Sequence, residues 1–166
     1  MKINDDHMYH GAALTQIAEH PQFTAINAYK VGNDVSRSAF RINDDIGVYL
    51  KYAGKAKAPY NEYVFTFNTE QLGELASIAA TVSHVYVALV CVGGRHICCL
   101  PQPDLNALIQ KRRNAKGEEE DQYIILVTLP EGKAFRVYVN APGKRKKLLG
   151  KQLLIPRNDF PNKIFE

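Results

Sequence analysis

No apolar run in this 166-residue sequence approaches the ~18 residues that a membrane-spanning helix needs. The N-terminus, MKINDDHMYHGAAL, carries acids where a signal peptide carries basic residues, and no long apolar stretch follows. That pattern argues against export. There are only three cysteines, two of them adjacent in HICC, so there is no even disulfide framework. A reduced, cytoplasmic setting is expected. Fingerprints of serine hydrolases, P-loops and dinucleotide sites are missing, because Gly93-Gly94 separates two strand-like runs and opens no helix. Nor is there an internal repeat or a second compositional zone. A single globular domain over residues 1–166 is the expectation.

What is present suits such a domain. The apolar share is 46% and the charged share 23%, ordinary for a folded chain with a real core. The net charge of +4, with a pI near 8.9, is a mild tilt. It falls short of the pI above ~9 of a dedicated nucleic-acid domain. Distribution matters more than total. KRRNAK (111–116) runs straight into EEED (118–121) and nearly cancels, whereas KRKK (144–147) stands alone.

Apolar spacing at Met8, Ala12, Ala13, Leu14 and Ile17 predicts a first helix at about 9–19, stopping before Pro21. The stretch PQFTAINAYKVGNDVS reads as irregular or as a strand, with a turn at VGND. From Ser38 the period becomes two. SAFRIN and GVYLKYA form a hairpin around NDDI, where Asn43 and Asp44 tolerate positive φ, and EYVFTFN is a third strand. Asn68 or Thr69 caps a helix, TEQLGELASIAA. SHVYVALVCV reads as a strand buried on both faces, and GG turns it into RHICCL. PDLNALIQKRR is a third helix, followed by QYIILVTL, AFRVYVN and LLGKQLLIP as strands. Phe160, Ile164 and Phe165 are expected to dock on the domain. The fold class is therefore α+β or α/β, a mixed β-sheet flanked by helices in the order α-βββ-α-ββ-α-βββ.

Within GVYLKYA, Lys51 interrupts an otherwise apolar strand. A helix, a three-strand meander, a helix and a buried strand, over roughly residues 9–92, resemble the core of the restriction-endonuclease-like superfamily with its PD-(D/E)xK signature. The resemblance implies a Mg²⁺ ion held by two carboxylates, with Lys51 orienting the attacking water. Here the position two before the lysine is Tyr49, not an acid. The acids nearest along the meander are Asp45, at the turn with Asp44, and Glu62, which opens the next strand. A divergent nuclease would use Asp45, Lys51 and Glu62. Otherwise alternation sets Lys51 and Tyr49 together on the wetter face, opposite Val48, Leu50 and Tyr52. GVYLKYA, FTF and ALVCV also look like segments of small bacterial proteins, a likeness that implies no activity.

Across the Gly93-Gly94 turn, Cys91 falls opposite His96, with Cys98 on the same face, so three zinc-type ligands converge. Structural zinc ordinarily takes four ligands at CxxC-like spacing, and buried cysteines behave as small apolar residues. No metal site is expected there. The basic loops carry the stronger signal. Lys55 and Lys57 follow Lys51, and Lys144, Arg145, Lys146 and Lys147 form the second block. Tyr52 and Tyr60 are interleaved with the first group, placed to stack on bases. The sequence thus reads as a non-catalytic accessory or nucleic-acid-associated module on a worn nuclease-like scaffold, with DNA or RNA as partner and no cofactor. The alternatives are the Mg²⁺-dependent nuclease and a protein-interaction subunit that docks through strand edges or C-terminal aromatics.

Overall fold

A computed structural model describes residues 1–143 and 148–166. Helix α1 spans Asp5–Ala18 and begins four residues before the expected start at about 9. Asp5 and Asp6 carry no apolar signal but suit the positive end of the helix dipole. The His7 ring then accepts from the Asn4 N–H at 3.0 Å. His10, Ala13 and Ile17 form the buried stripe.

Strand β1 (Ile26–Val31), left open in the sequence as irregular or extended, forms a hairpin with β2 (Asp34–Ile42). The turn falls at VGND, with Gly32 at φ 62°. β2 pairs antiparallel with β3 (Ile46–Ala53) across a turn where Asn43 takes φ 53°. β5 (His84–Cys91) then lies parallel to β3, with Ile46 opposite His84, and β6 (His96–Pro101) returns antiparallel. The five-stranded sheet is mixed, in the order β1-β2-β3-β5-β6.

The third strand of the expected meander leaves this sheet. β4 (Tyr63–Asn68) pairs with β7 (Gln122–Thr128), and β8 (Phe135–Tyr138) and β9 (Leu153–Ile155) complete a second, antiparallel sheet in the order β4-β7-β8-β9. The protein is α+β; the described residues form one more strand than the sequence order assigned, and the strands are divided between two sheets.

Helix α2 (Thr69–Ala79) is capped reciprocally, as Ser/Thr/Asn caps with Glu or Gln at the third position allow. The Asn68 side chain accepts from the Gln71 N–H at 2.8 Å, and Gln71 Oε1 accepts from the Asn68 N–H at 2.9 Å. Helix α3 (Gln102–Lys116) carries Pro103 in its first turn and ends at Gly117 in the left-handed region.

Two apolar clusters result. One joins the inner faces of both sheets with α2 and α3, through Phe65, Phe67, Phe135, Leu89, Leu100, Leu75 and Leu105. The other lies on the opposite face of the large sheet, where Ala13 and Ile17 of α1 meet Val48, Leu50 and Val90. Phe160 and Ile164 are buried there as expected, and Phe165 stacks on His20 with ring centroids 4.1 Å apart. Fully burying a side chain of this size contributes about 1.5–3 kcal/mol.

The Val92–Arg95 turn explains its glycines by close approach. The positive φ belongs to Arg95, at 54°, whereas a Cβ on Gly94 would stand 2.9 Å from the Tyr63 hydroxyl. Among the described residues no helix is long and apolar enough to cross a membrane.

Candidate functional site

Strand alternation on β3 sends Val48 and Leu50 into the α1 cluster, and Tyr49 into the cluster shared by the two sheets. Tyr49 is only 2% exposed, so neither face of β3 is wet and Lys51 does not mark a solvated side. The half-buried Lys51 ammonium donates to the Thr66 carbonyl of β4 and to Gln71 Oε1 at 3.2 Å. It also lies 4.8 Å from the centre of the Phe67 ring. Burial lowers its pKa. Lys51 therefore ties the large sheet to the small one and to the cap of α2.

The acids named with it lie elsewhere. Asp45 is exposed at the β2–β3 turn and accepts from the Ser83 N–H at 2.9 Å and hydroxyl at 2.8 Å. Those two bonds hold its carboxyl below the usual range. It stands six residues before Lys51, about 20 Å along an extended strand. Glu62 accepts from the Tyr138 hydroxyl of β8. It precedes Thr66 by four residues, about 13 Å along β4. The acids that do approach Tyr49 come from α2. Burial first, then Glu74, pushes the phenol up to about 12, so it stays neutral. Glu70 and Glu74 line a cleft of about 700 Å³ together with Asp34, Arg37 and Tyr49, and Ser36 donates to Glu74. The sequence hid this approach, because both glutamates fall on the polar face of an ordinary amphipathic helix.

The hairpin of β5 and β6 does set Cys91 opposite His96, and Cys98 shares the buried face of Cys91. The His96 ring, however, meets Phe135 edge-on at 6.4 Å. Burial pushes the Cys91 thiol up to about 12 and Cys98 well above its ordinary value, whereas a metal ligand must be a thiolate. Among the described residues no three metal-binding side chains gather. Chelator treatment is expected to leave the thermal midpoint unchanged. A chelator-induced drop, with one zinc per chain by elemental analysis, would contradict this packing.

Tyr52 and Tyr60 separate. Tyr52 packs against Tyr9, with centroids 4.9 Å apart, and against His10 at 5.5 Å, on the α1 side. Tyr60 lines a different cleft, of about 550 Å³, on the outer face of the small sheet. Val64, Ile124 and Leu126 form its apolar floor, and Ile124 is 44% exposed. The 57–62 loop forms one wall, closed by Lys57 and Glu62 exchanging backbone hydrogen bonds at 2.7 and 3.2 Å. Asn140, Ala141 and Gly143 contribute another wall. Arg112 braces the site. It pairs with both oxygens of Glu120 at 2.6 and 2.9 Å and donates to the Asn140 carbonyl at 2.9 Å. The pairing lowers the Glu120 carboxyl, so within this cleft Arg112 and Glu120 largely cancel. Lys57 sits at the rim, exposed, with Lys55 exposed two residues earlier. The 144–147 block lies outside the described residues, but Gly143, directly before it in the chain, lines the cleft.

No family model, curated protein or solved structure matches this chain. The chemistry must be read from the site alone. The small-sheet cleft combines a concave apolar floor, an aromatic wall and exposed lysine at its edge, which suits the binding of a flat, partly anionic ligand. The sequence carried both lysine segments and Tyr60. It carried no sign that hairpins some 80 residues apart would share one cleft, since the β4–β7 pairing that joins them is long-range.

Proposed function

We propose that the protein is a non-catalytic, nucleic-acid-associated module that receives its ligand at the small-sheet cleft. One observation carries the reading: the lysine-bearing 57–62 loop and the 140–143 segment, which leads into Lys144–Lys147, line the same apolar-floored concavity. Lysines at the rim meet phosphate, and the apolar floor meets base or sugar. Lys51 takes no part in hydrolysis in this reading, because its ammonium is engaged by Thr66 and Gln71, and Asp45, held by Ser83, stands about 20 Å along the strand from it.

The test is fluorescence anisotropy of labelled oligonucleotides across a salt series. With about five cations on phosphate, affinity for a single strand should fall about a hundredfold between roughly 50 and 200 mM salt. Absence of binding, or binding indifferent to salt, would sink the reading.

A further inference from the structure

We infer that the small-sheet cleft takes an unpaired base bearing an exocyclic amino group, so that the ligand is single-stranded DNA or RNA and not a duplex. The inference rests on the function proposed above and names the substrate class of that site. Three features lead to it.

The first is shape. A cleft of about 550 Å³ lies within the range that encloses a small ligand, whereas a duplex offers its backbone to a convex or open basic surface. The second is the floor. Val64, Ile124 and Leu126 have nothing to gain from phosphate, but a base turned out of its stack buries its face on apolar side chains.

The third is Glu62. A carboxylate in the cleft wall repels phosphate, so a strand received there must run its backbone along the rim beside Lys57 and point its base inward. The Tyr138 hydroxyl donates to one Glu62 oxygen and fixes the group, leaving acceptor capacity on a carboxylate that lines the cleft. Its natural complement is an N–H donor. Cytosine N4 is a recognised partner of carboxylate side chains, and adenine and guanine also carry amino groups, whereas uracil and thymine have none. Lys57 stands opposite Glu62 in a hydrogen-bonded pair, about 5.5 Å away at Cα, so one nucleotide spans both its phosphate cation and its base acceptor.

The experiment compares labelled oligonucleotides of one length in the full chain: oligo(dC), oligo(dT), their RNA counterparts oligo(C) and oligo(U), and a duplex. Single strands should bind more tightly than the duplex at equal salt. Cytosine should be preferred over thymine and uracil by roughly tenfold, the size of one hydrogen bond to a charged group. Glu62→Gln keeps an acceptor for Tyr138 and should bring cytosine and uracil to within about twofold, because an amide both accepts and donates. Ile124→Glu, at an exposed position, should weaken every single strand about tenfold or more by placing a charge on the floor. Equal or tighter duplex binding overturns the inference, as does a base preference that is absent or survives Glu62→Gln. If salt-dependent binding persists in those cases, only the base pocket falls. If no nucleic acid binds under any condition, the function proposed above falls with it. A preference for DNA or for RNA identifies the source of the strand, and either result supports the shared chemistry.

Discussion

Alanine at Lys144, Arg145, Lys146 and Lys147 together is expected to weaken single-strand binding about a hundredfold at roughly 0.1 M salt. Each lysine or arginine on a phosphate releases condensed counterions, and for single strands each contact adds ~0.7 to the slope of log affinity against log salt. Losing four contacts should therefore flatten that slope by about three. The loss should be uniform across base sequences, because phosphate contacts position the strand without reading it. A melting curve matching that of the unmodified protein shows that the fold is intact. Unchanged affinity with an unchanged melt would remove this block from the interface and leave Lys57 as its main cation.

Lys51→Ala should act on stability. Removing the ammonium leaves the Thr66 carbonyl without that donor and takes the cation from the face of the Phe67 ring, and hydrogen bonds to charged groups are worth about 1.5–3 kcal/mol. A loss near 2 kcal/mol corresponds to a fall in thermal midpoint of roughly 4–8 °C for a chain of this size. Lys51→Met restores the stem but not the donor and should recover part of the loss. The pH dependence follows from the lowered pKa. The unfolded chain binds a proton on this lysine that the folded chain gives up, so stability should rise with pH between the depressed folded value and the ordinary 10.5. Lys51→Met should abolish that rise. Nucleic-acid affinity should stay within about twofold of the unmodified protein, because the half-buried ammonium is held by Thr66 and Gln71 and is not offered to the ligand. A large affinity loss without a fall in melting temperature would instead place Lys51 at the ligand.

The two lysine sites show how far the sequence could be read. Period-two alternation gave β2, β3 and β4 their existence and strand type, and it set Lys51 beside Tyr49 on one face. It did not say what covered that face. The covering element is β4 with the cap of α2, and β4 looks like the next strand of a meander until its partner β7 is known. Isolated strands do not declare their sheet, since pairing depends on side chains far along the chain. Helix α1 was legible from Tyr9 onward, because its first turn is polar and is held by dipole and capping chemistry that apolar spacing misses. The turn at Gly93-Gly94 was placed correctly, but its reason lay in Tyr63, on the other sheet. For the cleft, Lys57 and Tyr60 were visible alone. That the 57–62 loop and the segment ending at Gly143 line one concavity was not.

The departure of β4 from the large sheet has a consequence for how the chain reaches its final form. Tyr63 pairs with Val127, a partner about 60 positions further on, and β5, β6 and α3 must all be synthesised and placed before that ladder can close. Pairings of such separation are slow to form, because loop entropy is lost before any contact compensates it. The hairpins β1–β2, β2–β3 and β5–β6 are local by comparison and can mature first, giving a large sheet on which β4 waits unpaired. The small sheet is therefore the late-assembling half. Its outer surface comes into being only once the distant partner strand has arrived, so a nascent chain released before about residue 128 would hold most of its core yet present no groove.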